Sequence, residues 1–137
     1  MSNWTHVAGI VRVDHLILDP EDGLDFDAIF GKECLWESDA SVWKDADENP
    51  ESYLPMGSEG SLRKVVWKNP DTSCLAAYSV MIFGDLRDHH DPAAIVEWFK
   101  DICENKFSVR NASLEVVNEM NGVETYSFNL EQGEVEK

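Results

Sequence analysis

From Leu75 to Gly84 the chain reads Leu-Ala-Ala-Tyr-Ser-Val-Met-Ile-Phe-Gly, with hardly a polar side chain. An apolar run of this length, rich in β-formers and bounded by a charged turn, predicts a strand in the middle of a sheet with both faces covered. The residues after it supply what covers one face. Asp85-Leu-Arg-Asp-His-His-Asp91 leads into Pro92, an acid able to cap a helix followed by a proline at the first helical position, where a missing N–H costs nothing. Ile95, Trp98, Phe99 and Ile102 then recur at i, i+3, i+4 and i+7, and the helix they predict can lay one apolar stripe on the sheet. A strand and helix of this kind make a scaffold and carry no catalytic signature.

Around this unit the remaining elements follow in order. Residues 5–14 alternate, with Val7, Val11 and Val13 on one face and His6, Ala8, Ile10 and Arg12 on the other, which predicts the first strand, with Leu16-Ile-Leu18 either extending it or packing beneath the next loop. Asp19-Pro-Glu-Asp-Gly23 breaks it, and Asp25 is placed to cap a short helix through Phe26, Ala28, Ile29 and Phe30 that Gly31 ends. Residues 61–68 predict a second strand, and Asn69-Pro-Asp-Thr-Ser73 a turn into the 75–84 run. Asn121-Gly122 between two further strands predicts a two-residue hairpin turn. In that register Met120 faces Val123, Glu119 faces Glu124 with mild repulsion, and Leu114, Val116, Met120 and Val123 share a core face. Residues 131–137 are polar and expected to fray.

This order predicts an α+β fold: a ferredoxin-like split β-α-β sandwich, mostly antiparallel, with two helices on one face and an extra C-terminal hairpin strand. The 137 residues are expected to form a single domain with a core that needs neither metal nor disulfide. Its unusual part is an acidic excursion over residues 33–60, inserted between the first helix and the second strand. One helical turn is expected there, around residues 40–44.

Charge narrows the function. Against 11 Lys plus Arg stand 27 Asp plus Glu, a formal charge of −16, which repels nucleic-acid phosphates and anionic membranes and attracts basic protein surfaces. Residues 19–59 hold 13 of those acids against Lys32 and Lys44 alone. Within the excursion, Trp36, Trp43 and Tyr53 are interleaved with Glu37, Asp39, Asp45, Asp47, Glu48 and Glu51. Rings that supply desolvated contact among carboxylates that steer suit recognition of a basic partner, and these nine residues form the expected partner-binding set. The alternative is that Trp36 and Trp43 fasten the loop to the core while the acids keep it soluble.

Catalytic and metal signatures are weak. Cys34, Cys74 and Cys103 are odd in number and lack a C-x-x-C pair, so they read as buried free thiols of a reducing cytoplasm. No basic leader or long apolar segment is present, and an intracellular, cytoplasmic protein is expected. His89-His90 at the strand-to-helix corner is the most enzyme-like spot, but adjacent histidines point apart and no further ligand stands in register. The acidic stretch from Asp19 to Asp27 misses calcium-loop spacing: Gly23 falls at the fifth position instead of the sixth, and no Glu follows at the twelfth. No G-x-S-x-G, P-loop or H-E-x-x-H occurs. Neither an enzyme nor a cofactor is expected.

Four stretches together, Met1-Ser-Asn-Trp4, Tyr53-Leu-Pro-Met-Gly-Ser-Glu-Gly-Ser61, Val66-Trp-Lys-Asn-Pro-Asp71 and Ile82-Phe-Gly-Asp-Leu-Arg-Asp88 ahead of Trp98-Phe99, resemble a family of small bacteriophage and prophage proteins that has no assigned activity. The resemblance spans nearly the whole chain and carries no catalytic residue with it. It implies a phage context, in which small acidic proteins act as inhibitors or decoys of host machinery, including nucleic-acid-guided defence enzymes. The expectation is therefore a non-enzymatic inhibitor of a host protein with a basic surface, of anti-CRISPR or other anti-defence type, working by nucleic-acid mimicry. A second reading is a small-ligand or nucleotide sponge with a pocket between excursion and sheet, which requires Arg12, Arg63, Lys64, Arg87 or Arg110 to converge. A third is an enzyme dependent on His89 and His90.

Overall fold

The computed structural model describes residues 2–16, 24–68, 75–89 and 91–130. In chain order its strands are β1 (Trp4–Leu16), β2 (Met56–Gly57), β3 (Gly60–Ser61), β4 (Arg63–Lys68), β5 (Leu75–Arg87), β6 (Asn111–Asn118) and β7 (Gly122–Asn129). The α-helices are α1 (Phe26–Phe30), α2 (Ala40–Glu48) and α3 (Pro92–Asp101). Five strands form one antiparallel sheet in the order β4-β5-β1-β6-β7, and β2 and β3 form a separate two-stranded ladder.

The middle of the sheet is β1, not the 75–84 run. Its 13 residues pair from Trp4↔Arg87 to Leu16↔Leu75 with β5 and from Thr5↔Asn118 to Arg12↔Asn111 with β6. Strand β5 lies one place from the edge, and its two faces differ in burial. Val80 and Ile82 are 0% exposed and Leu86 1%, whereas Met81 is 47% and Phe83 36% exposed. The run alternates in burial although it scarcely alternates in polarity, which is why it read as a strand buried on both sides.

On the covered face, Val7, Val11 and Val13 of β1 meet Val80, Ile82 and Leu86 of β5 and Leu114 and Val116 of β6. Phe30 of α1 and Ile95 and Phe99 of α3 close this core from outside the sheet. Helix α3 starts where the Asp-Pro pair placed it: the Asp91 carboxylate accepts from the Ala94 N–H at 3.3 Å, and Pro92 takes the first turn. The chain runs on from α3 into a π-helical turn, Ile102–Lys106, which keeps Ile102 and Cys103 in the core. Asp25 caps α1 by accepting from Ala28 N–H at 3.1 Å, and Gly31 ends it at φ 109°. A Cβ on Gly31 would lie 2.5 Å from the carbonyl carbon of Tyr53, so glycine alone allows the close pass at which Leu54 N–H bonds Lys32 O at 2.9 Å.

The C-terminal hairpin has a different register from the expected one. Asn118 pairs with Gly122 and Val117 with Val123, leaving a three-residue loop, Glu119-Met120-Asn121. The Asn118 side-chain oxygen accepts from the Met120 and Asn121 N–H groups at 2.9 and 2.8 Å, and Gly122 takes φ 99°. Leu114 and Val116 reach the core as expected, but Met120 is 79% and Val123 56% exposed. Glu124 faces Val116, and Glu119 turns towards β1 to accept from the Trp4 N–H at 3.3 Å. The expected strand extension at 17–18, the 69–73 turn, Cys74, His90 and the 131–137 tail lie outside the described residues, as does most of the Asp19–Asp27 stretch. Among the described residues no helix is long and apolar enough to cross a membrane.

Candidate functional site

The excursion is ordered by its own small core. Cys34, Ala46 and Tyr53 are buried together, with Val42, Trp43 and Met56 packed against them. The helical turn expected at 40–44 extends to Glu48 because Asp39 caps it, accepting from the Ser41 and Val42 N–H groups at 3.0 and 3.1 Å. The Ser41 hydroxyl also donates to that carboxylate, and these bonds hold the Asp39 carboxyl below the ordinary range. Pro50–Ser52 form a 3-10 turn, after which Tyr53 O–H donates to Asp45 Oδ2 at 2.6 Å and Asn49 Nδ2 to Asp45 Oδ1 at 3.0 Å. The Tyr53–Asp45 bond lowers the Asp45 pKa and, as its first cause, pushes the Tyr53 phenol up to about 12.

The nine expected partner-binding residues therefore divide. Tyr53, 6% exposed, is a core residue, and half-buried Trp43 packs on the same cluster. Asp39 and Asp45 spend their carboxylates on the cap and on Tyr53. Trp36 stands 76% exposed at the opposite end of the excursion, beside Glu37, which pairs with Arg63 at 3.7 Å. The carboxylates of Asp47, Glu48 and Glu51 are exposed and have neither ion pair nor hydrogen bond among the described residues.

Other acids of the 19–59 stretch are held by strand residues far along the chain. Lys64 Nζ bonds Asp27 and the Gly31 carbonyl, Lys64 N–H donates to Glu33 at 2.8 Å, and Arg87 Nη1 binds Glu59. Of the ten described acids, Asp25, Asp27, Glu33, Glu37, Asp39, Asp45 and Glu59 have a hydrogen-bond or ion-pair partner, near or far along the chain, and the carboxylates of three are free.

Two concave sites flank this region. One, of about 590 Å³, lies between the excursion and the sheet, walled by Trp36 and Glu37 on one side and by Arg63, Phe83 and Arg87 on the other. Arg63 and Arg87 both line this cavity, paired there with Glu37 and Glu59, whereas Arg12 and Arg110 turn to Asp14, at 3.6 and 3.0 Å, and Lys64 is engaged with Asp27. The other, of about 620 Å³, lies between α1, residues 50–53 and α3, with Trp98 and His89 in its lining. The His89 carbonyl accepts from Thr5 Oγ1 and from Asn118 Nδ2, the latter at 3.2 Å, which fixes the corner that the histidine occupies.

Two features escaped the sequence. His6 has a carboxylate at each ring nitrogen, Asp85 at 2.6 Å from Nδ1 and Glu119 at 3.1 Å from Nε2, and these bonds raise its pKa. The parity of β1 signalled an outward His6, but its partners sit 79 and 113 residues away. The second is the uncovered sheet face, where Ile10, Val65, Trp67, Met81 and Phe83 are 36–52% exposed together. Among the described residues no three His, Cys, Asp or Glu side chains are grouped to hold a metal ion. Cys34 and Cys103 are buried free thiols, and burial pushes Cys103 up to about 12. No protein-family model, no curated protein and no solved structure matches the chain.

Proposed function

We propose that this chain is a non-enzymatic, acidic protein-binding domain that occupies a basic, nucleic-acid-binding surface of another protein. The observation that carries the reading is the position of Asp47, Glu48 and Glu51, three exposed and unpaired carboxylates at the end of α2 and in the adjoining 3-10 turn of a chain of charge −16. Carboxylates held at spaced positions on a rigid element present acceptors to Lys and Arg side chains without first having to break internal pairs. The resemblance to bacteriophage proteins makes the partner a host protein, a component of nucleic-acid-guided defence being the class with the required groove, and the site of action the host cytoplasm. The scaffold in this reading is a ferredoxin-like split β-α-β sandwich, supported by the order β4-β5-β1-β6 with α1 and α3 on one face, with β7 as the added strand and residues 33–60 as the insertion.

The test is an affinity capture from host lysate, eluted in steps of rising salt and read by mass spectrometry. One stoichiometric partner released at moderate salt is expected. Asp47→Lys, Glu48→Lys and Glu51→Lys together should weaken capture at least about tenfold, against little change for Glu97→Lys with Glu124→Lys. Equal losses from the two sets would remove the site. A second reading, a small-ligand or nucleotide sponge, is favoured by Arg63 and Arg87, which both line the cavity beside Trp36 and Phe83. Thermal-shift stabilisation by a nucleotide that is lost in Arg63→Gln would select it over protein binding.

A further inference from the structure

The cleft between α1, residues 50–53 and α3 lies beside the free carboxylates of the excursion. Glu51 is in its lining, and Asp47 and Glu48 end α2 just before Pro50, which lines it too. Its apolar walls are Ile29 of α1 and Ile95 of α3, together with Trp98. Trp98 is half-buried: it packs on the core, and the rest of its indole lines the cleft. No ring of the excursion holds that place, because Trp43 and Tyr53 pack in their own small core and Trp36 stands at the other end. Ile102 and Lys106 bring the π-helical turn to the cleft as well, a backbone geometry frequent at functional sites.

Charge says what such a cleft can hold. Four carboxylates line it, Asp25, Asp27, Glu51 and Asp101, against the amines of Lys32 and Lys106, with His89 counted as neutral. Pairs reaching in from outside cancel each other: Lys64 answers Asp27, and Asp45 answers Lys32 at 3.9 Å. An excess of two negative charges therefore stays in the cleft. Asp25 and Asp101 accept only from uncharged groups, the Ala28 N–H and, at 2.8 Å, the Asn105 amide, and the Glu51 carboxylate has no partner among the described residues.

We propose that this cleft takes an arginine side chain of the basic partner, an inference that rests on the protein-binding reading above and names the group the partner inserts. A guanidinium is planar and weakly hydrated, so it can lie on the Trp98 indole while its fork of N–H donors meets carboxylates. Its aliphatic stem suits Ile29 and Ile95. An ammonium, more strongly hydrated and without a flat face, gains less from the same walls. At about 620 Å³ the cleft is in the size range of small-ligand sites. Asp47 and Glu48, outside it, steer the partner, and Trp98 supplies the desolvated anchor.

Titration of the purified chain with acetylated, amidated triarginine and trilysine tests this, followed by NMR at the Trp98 indole N–H. The two peptides carry equal charge, so a difference between them reads the guanidinium and not steering. A saturable shift of the Trp98 signal is expected, with triarginine binding at least about threefold more tightly than trilysine. The signal is assigned by its loss in Trp98→Phe. Glu51→Gln with Asp101→Asn, both on exposed side chains, should weaken triarginine at least about fivefold, and Glu97→Gln, exposed on α3 outside the cleft, should change it little. A Trp98 signal that does not move, equal affinity for the two peptides, or indifference to Glu51→Gln with Asp101→Asn would each overturn the proposal. The titration contains no host protein, so the two ideas fail separately. Capture that depends on Asp47, Glu48 and Glu51 while Trp98 stays silent removes the arginine cleft alone, and a cleft that prefers triarginine with nothing captured removes the host partner alone.

Discussion

His6 has a carboxylate at each ring nitrogen, so both bonds are satisfied as donors only when the ring carries its second proton. The bonds to Asp85 and then Glu119 raise its pKa above 6.5 in the folded chain. The linked stability is fully present below pH 6.5 and is lost as pH rises through the raised folded value. Melting temperatures of the wild type and His6→Gln should therefore differ below pH 6.5 and converge as the pH rises past the raised folded value, a small effect for so exposed a group. Asn118 is 2% exposed, and its amide joins three segments: Nδ2 donates to Thr5 Oγ1 at 2.8 Å and to the His89 carbonyl, and Oδ1 accepts from the hairpin loop. Asn118→Ala leaves several of these groups unpaired, and denaturant unfolding should show a loss of about 2–4 kcal/mol with little change in slope.

At the scale of elements, what could be read from the sequence was whatever its signals encode locally. Asp25 with Gly31 bounded α1, and Asp91 with Pro92 started α3, because caps act within a turn. The hairpin failed by the same measure: Asn121-Gly122 marked the turn, but its length is set by the buried Asn118 amide, whose position depends on β1 and on the His89 corner. A Cβ on Gly122 would meet nothing within 4 Å, so Gly122→Ala should cost about 1–2 kcal/mol from backbone strain at φ 99° alone, measurable by chemical denaturation. The candidate site was half legible. Acid spacing located the excursion, yet Lys64 and Arg87 neutralise Asp27 and Glu59 from distant strands, and no local pattern announces such pairs. Met81 and Phe83 were hidden because an outward apolar residue in an apolar run looks like an inward one.

For the molecule as a whole, a charge of −16 means self-repulsion that pairing only partly relieves. Added NaCl should raise the melting temperature at neutral pH, and the increment should shrink when Asp47, Glu48 and Glu51 are replaced by Gln, as scanning calorimetry can check. The position of β1 has a consequence for how the chain is made. Strand β1 is synthesised before both of the strands that flank it, β5 and β6, and its pairing residue in β6 for Thr5 is Asn118. Closure of that pair spans 113 residues, so nascent β1 must wait, one edge unpaired, until β6 has been synthesised. Folding is then a late and nearly simultaneous event, and a chain interrupted before β6 is a substrate for chaperones and proteases instead of a partial domain.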